Sequence, residues 1–579
     1  MVAPSQAQNG PQTMHKHSML PLIVASAIAL ASKAGHVDGA DPGESAPADR
    51  PNIIVIVADD LAYSDLSTFG SEISTPSLAT LAANGVTYTY FHTSPMCSPS
   101  RAMLLTGVEQ HRTGYGTMAE FLDDSQRGQP GYEGFLNQRV ATIAERLQDA
   151  GYATSMTGKW HLGAQSLPSD RGFDRSFTLV EGAGSHFDNS GYAEFKPIVT
   201  YLRDGKAVQL PDDFYSSDFY VSELIDQINA GVAEGKPFFG YLAFTAPHWP
   251  LHAPAESIAK YDGRYMEGWE ALRRQRHEGL KQHGIIPAQA VLPPPHDNVP
   301  DWNSLTNDER KHQAKLMAVY AGMVDRMDWN IGRLLAHLER EGLRENTVIV
   351  FTSDNGPEAI DFTTDPIFPP ATDWVAEHFD NSYDRLGGPA SYPFYGRPWA
   401  QAGAASHRLY KTFVTQGGMH SPLIISWPAA GIDAGSTSRA FATMLDVTPT
   451  LLDMAGVDAA ITQLGDRSVE PVSGRSMFPY LTGDAESIYP QYEGQGFELF
   501  GNRAYIMGDW KILSLRPPEG DGSWHLYNLA QDPGETLNLA AEHPQRMRAM
   551  LARYAAYAEE NGVIAPPEDF SMFEGREGH

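Results

Sequence analysis

The chain has 579 residues, 42% of them hydrophobic, and a formal net charge of −29, enough apolar material for two or more domains or one large domain with an appendage. The negative charge argues against nucleic acid and against anionic membrane surfaces, so an anion site must gather its cations locally. The single cysteine, Cys97, allows no intrachain disulfide and leaves the redox compartment unread.

Lys16 precedes an apolar run, Leu20 to Ala31, that is too short to span a bilayer comfortably and ends in the small-x-small pattern Ala29-Leu30-Ala31. Residues 1–31 are therefore predicted to be a secretory signal peptide of a periplasmic or secreted protein with no stable membrane span. A retained anchor or an apolar tail is the alternative, and Met14 serves as well as Met1 for the start. Residues 32–50, rich in Gly, Ala, Asp and Pro, read as a linker.

Asn52-Ile53-Ile54-Val55-Ile56-Val57 is a β-branched run suited to a parallel strand buried on both faces. It ends in Asp59-Asp60, adjacent carboxylates that repel each other and resist desolvation unless a cation joins them. A solvated turn is the plainer reading of that pair. A helix is predicted from Ser77 to Gly85 and a strand from Val86 to Phe91, which delivers the chain to Met96-Cys97-Ser98-Pro99-Ser100-Arg101. There Ser98 reads as an N-cap, Pro99 as the first helical residue and Gly107 as the stop. Cys97 would then lie just before a helix N-terminus with Arg101 one turn away; a buried small hydrophobe is the bland alternative.

Thr142 to Ala150 predicts an amphipathic helix and Tyr152 to Thr157 a strand running into Gly158-Lys159-Trp160-His161. Lys159 and His161, two apart, share a side if the strand continues; in isolation they read equally as a surface lysine beside a satisfied histidine. Pro237 to Phe244 is a further core strand, and His248 stands between Pro247 and Pro250, where it serves equally as a structural hydrogen-bonder. Residues 265–308 read as an irregular charged insertion, and Ala314 to Glu341 as a long helix with a break near Asn330-Ile331-Gly332. Thr347 to Ser353 repeats the first device, ending in Asp354-Asn355-Gly356. Two such strands side by side would bring Asp59, Asp60, Asp354 and Asn355 together as an all-oxygen set, suited to Ca²⁺ or Mg²⁺ rather than Zn²⁺. Residues 361–404 read as an aromatic loop forming a pocket wall. Lys411 precedes Gly417-Gly418-Met419-His420-Ser421-Pro422, and a helix opens near Asp446 to Thr448 and stops at Gly456. Beyond Val457, short apolar stretches broken by Gly, Asp and Pro predict antiparallel strands, closed by a helix from Pro544 to Asn561. The predicted organisation is a main α/β domain over 51–456, a large mostly parallel mixed sheet flanked by helices, and a smaller C-terminal α+β domain over 457–579 carrying an antiparallel sheet.

Cys97-x-Pro99-x-Arg101 with Leu104-Leu105-Thr106-Gly107 downstream resembles the sulfatase signature. The Asp59-Asp60 and Asp354-Asn355 pairs, Gly158-Lys159-x-His161, His248 and Lys411 are similar to the family's other motifs. The likeness runs from about Pro51 to the C-terminus and is strongest to bacterial arylsulfatases of the cysteine type. It implies an alkaline-phosphatase-like fold and hydrolysis of a small-molecule sulfate monoester, by default an aryl sulfate. It also implies that a formylglycine-generating enzyme oxidises Cys97 to formylglycine, and that one Ca²⁺ ion is held by Asp59, Asp60, Asp354, Asn355 and the converted residue 97. By the same resemblance Lys159 and Lys411 bind the sulfate group, His161 contacts the formylglycine hydroxyl, His248 lies near the leaving-group oxygen, and Arg101 orders the nucleophile. The chain departs from the family at His420, where arginine is usual. A phosphomonoester or phosphonate monoester hydrolase on the same fold remains the nearest rival, and a silent binding protein follows if Cys97 stays unconverted. A cysteine phosphatase needs five residues between Cys and Arg, and three stand here.

Overall fold

In a computed structural model, which describes residues 50–363, 369–570 and 572, the β-branched run becomes β1 (Asn52–Ala58), buried from Ile53 onward. The predicted signal peptide and all of the linker but Arg50 lie outside the described residues. In chain order follow α1 (Pro76–Ala83), β2 (Val86–His92), α2 (Cys97–Thr106), α3 (Ile143–Asp149), β3 (Ala153–Lys159), β4 (Arg175–Leu179), β5 (Tyr201–Arg203), β6 (Lys206–Ala207), α4 (Ser216–Ala233) and β7 (Phe238–Ala243). After them come α5 (Trp269–Gln282), α6 (Asn307–Arg340), β8 (Thr347–Ser353), α7 (Pro369–His378), α8 (Gly396–Ala404), β9 (His420–Ser426), β10 (Ser436–Ser438), β11 (Ala442–Thr443) and α9 (Val447–Met454).

These strands form one mixed sheet in the order β10-β2-β9-β8-β1-β7-β3-β4-β5-β6, with β11 also pairing β2. Its centre, β8-β1-β7-β3-β4, is parallel, and β9 turns antiparallel against β8 and β2. Alternation along β1 explains why both faces are covered. Ile54, Ile56 and Ala58 join the apolar cluster built with α1, α4 and α6, while Ile53, Val55 and Val57 join the one built with α2, α3 and α9. The parallel centre aligns four carboxyl ends at one edge: Ala58 pairs with Ser353, Val57 with Ala243, and Gly158 with Ala243. Whatever follows those residues must meet there, at the edge where open α/β sheets usually bind ligands.

The C-terminal strands β12 (Gln495–Leu499), β13 (Asn502–Met507), β14 (Trp510–Ser514) and β15 (His525–Asn528) form the expected antiparallel sheet. The helix α10 (Pro544–Glu560) packs Met550, Tyr554 and Tyr557 against Tyr505, Ile512 and Leu526 of this sheet. Among the described residues no helix is long and apolar enough to cross a membrane.

Several local expectations are corrected. Helix α2 starts two residues earlier than predicted: extended Met96 holds the cap position, Cys97 is the first helical residue, and the Ser98 hydroxyl caps nothing. Ser100 secures the entry instead, its N–H donating to the Met96 carbonyl and its hydroxyl to the Ser94 carbonyl. Gly107 ends the helix in the left-handed region as expected. The insertion at 265–308 contains α5, whose charges looked like surface but include the fully buried Arg276, paired with Asp65 and Glu72. Helix α6 runs unbroken for 34 residues from a Thr306–Glu309 capping box. Its Gly332 allows α1 to approach, since a Cβ there would stand 2.7 Å from Ser77 Oγ. The segment predicted as a loop at 361–404 carries α7 and α8, and its residues 364–368 lie outside the described set.

Candidate active site

Each parallel strand of the central four delivers at least one charged or polar group to the same edge. From β1 come Asp59 and Asp60, from β8 Asp354 and Asn355, from β3 Lys159, and from the turn after β7 His248; Cys97 and Arg101 arrive on α2. All are buried, His248 the least so at 5% exposure. Ligand atoms of Asp59, Asp60, Cys97 and His248 lie within 4.8 Å of one another, the one such acidic, thiol and imidazole group among the described residues.

The pairings are specific. Lys159 Nζ donates to both oxygens of Asp59, at 2.8 and 2.7 Å. Arg101 donates through Nε and Nη2 to Asp354 Oδ2, at 2.9 and 2.8 Å, and its Nη2 stands 3.3 Å from Asp59. Lys411 Nζ sits 2.8 Å from Asp60 Oδ1 and 3.0 Å from Glu358. Asn355 donates to Asp60 at 2.6 Å. The Cys97 thiol faces Asp59 and Asp60 at 3.6 and 3.9 Å. Four carboxylates thus face three cations, leaving one formal negative charge in a desolvated pocket.

That imbalance appears in the titration. Burial pushes Asp59 up, but Lys159, Arg101 and Lys411 more than offset it and hold the carboxyl below its ordinary value. Asp60 is pushed up to about 8 by burial, with Lys411 opposing and Asp59, Glu358 and Asp354 adding to the rise. Burial also drives the Cys97 thiol well above its ordinary value, so it stays protonated and a poor nucleophile. His248 is driven down by burial and by Lys411 and Lys159.

The donors fit a hard divalent cation. Asn355 Oδ1 is buried with no hydrogen-bond partner, a carbonyl oxygen of the kind such ions take beside carboxylates. A divalent charge would also convert the pocket's formal negative charge to a positive one.

The structure brings together Asp59, Asp60, Cys97, Arg101, Lys159, His248, Asp354, Asn355 and Lys411. His161 makes no hydrogen bond or ion pair to these groups, though burial lowers its pKa and Lys159 and Arg101 both add to that fall. Strand β3 ends at Lys159, and His161 takes a left-handed φ of 55°, so the two do not share a strand face. Its ring makes a 3.3 Å hydrogen bond to Glu120 at the rim, and its Nδ1 is unpartnered. His420 brings no charge to the place of the usual arginine: burial drives it well below its ordinary value. It stacks on Tyr63 with centroids 4.1 Å apart and donates to the Thr89 carbonyl at 2.8 Å.

Sequence reasoning missed Glu358 and Glu120. No motif marks Glu358; only the turn at Gly356-Pro357, directly after a strand end, hinted that the chain doubles back there. Of the segment predicted as a pocket wall, Phe394 and Tyr395 reach the site; with Trp249, Leu251 and Ile360 they pack beside Asp60 and Glu358.

A family profile described as Sulfatase matches residues 51–457, and one described as N-sulphoglucosamine sulphohydrolase, C-terminal, matches 405–555. The chain is 41% identical over 542 residues to an uncharacterized sulfatase of Schizosaccharomyces pombe, covering 91% of this chain and 97% of the relative. It is 42% identical over 444 residues to an arylsulfatase of Klebsiella aerogenes, covering 75% and 92%. Among solved structures, Ps i-CgsB in complex with k-i-k-neocarrahexaose shares the fold with a TM-score of 0.62 at 23% identity, over 89% of this chain and 94% of that one. The phosphonate monoester hydrolase of Agrobacterium radiobacter shares it with a TM-score of 0.54 at 19% identity, over 88% and 96%.

Proposed function

The chain belongs to the sulfatase family and is a sulfuric ester hydrolase, and from that premise we propose that it cleaves aryl sulfate monoesters with one Ca²⁺ and a formylglycine made from Cys97 by a formylglycine-generating enzyme. The observation that carries the reading is the convergence of Asp59, Asp60, Cys97 and His248 within 4.8 Å at the carboxyl ends of the parallel strands. The sulfatase-family match, with Cys97-x-Pro99-x-Arg101 at the site, supports conversion of Cys97, and the partnerless Asn355 Oδ1 supports a hard cation held by Asp59, Asp60, Asp354, Asn355 and residue 97. When bound, Ca²⁺ supplies positive charge for a sulfate oxygen, and formylglycine supplies, as its hydrate, the attacking hydroxyl.

The chain's own groups do the rest. Lys159 and Lys411 enter a dry pocket where their charge on developing negative oxygens counts most. Arg101 anchors Asp354 through two hydrogen bonds to its Oδ2, and Asp354 takes the proton from the nucleophile. His248 directs Nδ1–H to the Trp249 carbonyl at 2.7 Å and Nε2 toward Asp60 at 3.4 Å. Its Nε2 therefore holds a proton for the leaving oxygen only when the ring is charged, a state that the substrate's negative charge favours. His161 serves the formylglycine hydroxyl from the rim, with Glu120 behind it. The likeness to the Klebsiella aerogenes arylsulfatase supports an aryl leaving group. The Lys16-led apolar run supports export to the periplasm or beyond.

The test is turnover of paired 4-nitrophenyl sulfate and 4-nitrophenyl phosphate by protein co-produced with the maturation enzyme and loaded with Ca²⁺. Sulfate-ester turnover exceeds phosphate-ester turnover, falls on chelation and returns with Ca²⁺. Turnover untouched by exhaustive chelation contradicts the metal assignment, and a preference for the phosphate ester contradicts the substrate assignment.

A further inference from the structure

Of the fully buried ion pairs that the mechanism leaves unused, one reaches toward the loop that carries Lys411. Lys511 on β14 and Glu535, just after β15, stand 2.6 Å apart with both side chains sealed from solvent. Glu535 holds a left-handed φ of 55°, unusual for a residue with a side chain. A buried pair of this kind is weak evidence for stability, because desolvation consumes most of what the attraction gains. Its geometry points to another role. The second oxygen of Glu535 accepts the backbone N–H of Gln416 at 3.1 Å.

Gln416 is the stem of the loop that carries Lys411. The loop closes on itself where the Gly417 N–H donates to the Arg408 carbonyl at 3.1 Å. Both stems are tied to the C-terminal region, Gln416 by Glu535 and Arg408 by its guanidinium on the Glu519 carbonyl at 2.7 Å. The backbone here is strained: Leu409 and Thr412 hold φ values of 56° and 87°, costly for residues with a Cβ and worst for a β-branched one. Such strain persists only where surrounding contacts over-determine it. The loop is also wired to the turn before Cys97. The Thr412 N–H donates to the Pro95 carbonyl at 2.8 Å, and the Gln416 side-chain oxygen lies 3.1 Å from His92 Nε2 at the end of β2.

We propose that Glu535, with Lys511 as its counter-charge, is a positioning residue for the sulfate site: by holding the Gln416 N–H it fixes the strained loop that presents Lys411. The inference rests on the reading of Lys411 as a sulfate-binding group. It assigns part of the geometry of that site to the C-terminal sheet.

The test uses full-length, matured, Ca²⁺-loaded enzyme and two double variants without buried charge. Lys511→Met/Glu535→Gln keeps a carbonyl oxygen for the Gln416 N–H, whereas Lys511→Met/Glu535→Met removes it. The first holds KM for 4-nitrophenyl sulfate and the inhibition constant of inorganic sulfate within about twofold of the parent. The second raises both about tenfold at similar metal content, with kcat moving less, the loss expected when one binding contact is misplaced. Glu535→Asp, which keeps the counter-charge but draws the carboxylate back from Gln416, gives the same rise should the second double variant not fold. Equal KM in both double variants, or a parental KM in Glu535→Asp, overturns the inference. Lys411→Ala separates the two layers: if it too leaves KM and sulfate inhibition unchanged, the reading of Lys411 fails and the positioning claim falls with it.

Discussion

His248 shows how one side chain's neighbours limit what it can do. Its Nδ1–H is committed to the Trp249 carbonyl, and burial beside two lysines disfavours a second proton. Charging His248 therefore carries a fixed cost, offset only where the leaving oxygen needs a proton. His248→Ala is expected to lower kcat by about 10²–10⁴ on phenyl sulfate but much less on 4-nitrophenyl sulfate, whose phenoxide leaves without help. Steady-state rates on the two esters check this; equal losses on both would mean that the histidine only packs. At this scale Asp59, Asp60 and Asp354 were legible because they sit directly after β-branched runs, and Arg101 because it follows a helix start, while Lys159, His248 and Lys411 were legible through their motifs. Glu358 and Glu120 were not, because contacts to Lys411 and His161 made across the fold leave no local pattern.

The elements explain why those residues meet. Asp59, Asp354, Lys159 and His248 belong to four neighbouring parallel strands or the turns after them, whose pairing sets their ends level. Gly158 is the tightest point of that arrangement. It holds φ at 105°, and a Cβ there would stand 1.8 Å from the Ala243 carbonyl oxygen. Gly158→Ala must part β3 from β7 and move Lys159; an expected loss of about 3 kcal/mol or more in stability, read by chemical denaturation, accompanies a raised KM. A stable variant with parental KM would show that the strand edge tolerates displacement. Strands were legible because two-sided burial writes continuous Ile, Val and Phe runs. Helix detail was less so: α5 was hidden by charges that pair inside the protein, and the predicted break in α6 failed because its glycine serves the approach of α1. The start of α2 shifted because backbone and Ser100 contacts, rather than Ser98, secure its first turn.

Across the whole molecule the C-terminal sheet is bound to the main sheet through buried polar contacts, and these set the pH range of the fold. His111 lies between Glu109 and Glu498 of β12, 3.0 and 3.1 Å away, while Tyr557 of α10 donates to Glu109. Burial alone would lower His111, but Glu109 and Glu498 raise it to about 10 from an ordinary 6.5. Its contribution is therefore full below pH 6.5 and is lost as pH rises through about 10. His92 and His407 behave oppositely. Burial and Lys511 lower both to about 3, so the stability tied to their neutral rings is present above pH 6.5 and lost as pH falls toward 3. Denaturation midpoints across pH should fall on both sides, and His111→Gln should flatten the alkaline side alone; an unchanged alkaline slope would refute this account of His111. The central claim is that residue 97, converted from a buried inert thiol, is the group that attacks sulfate esters inside this ring of carboxylates and cations. Its most direct test is mass spectrometry of the peptide spanning residue 97, read against turnover of 4-nitrophenyl sulfate in preparations matured to different extents. Turnover should rise in proportion to the converted fraction and vanish in Cys97→Ala, whereas full turnover by protein that keeps the thiol, or by Cys97→Ala, would contradict it.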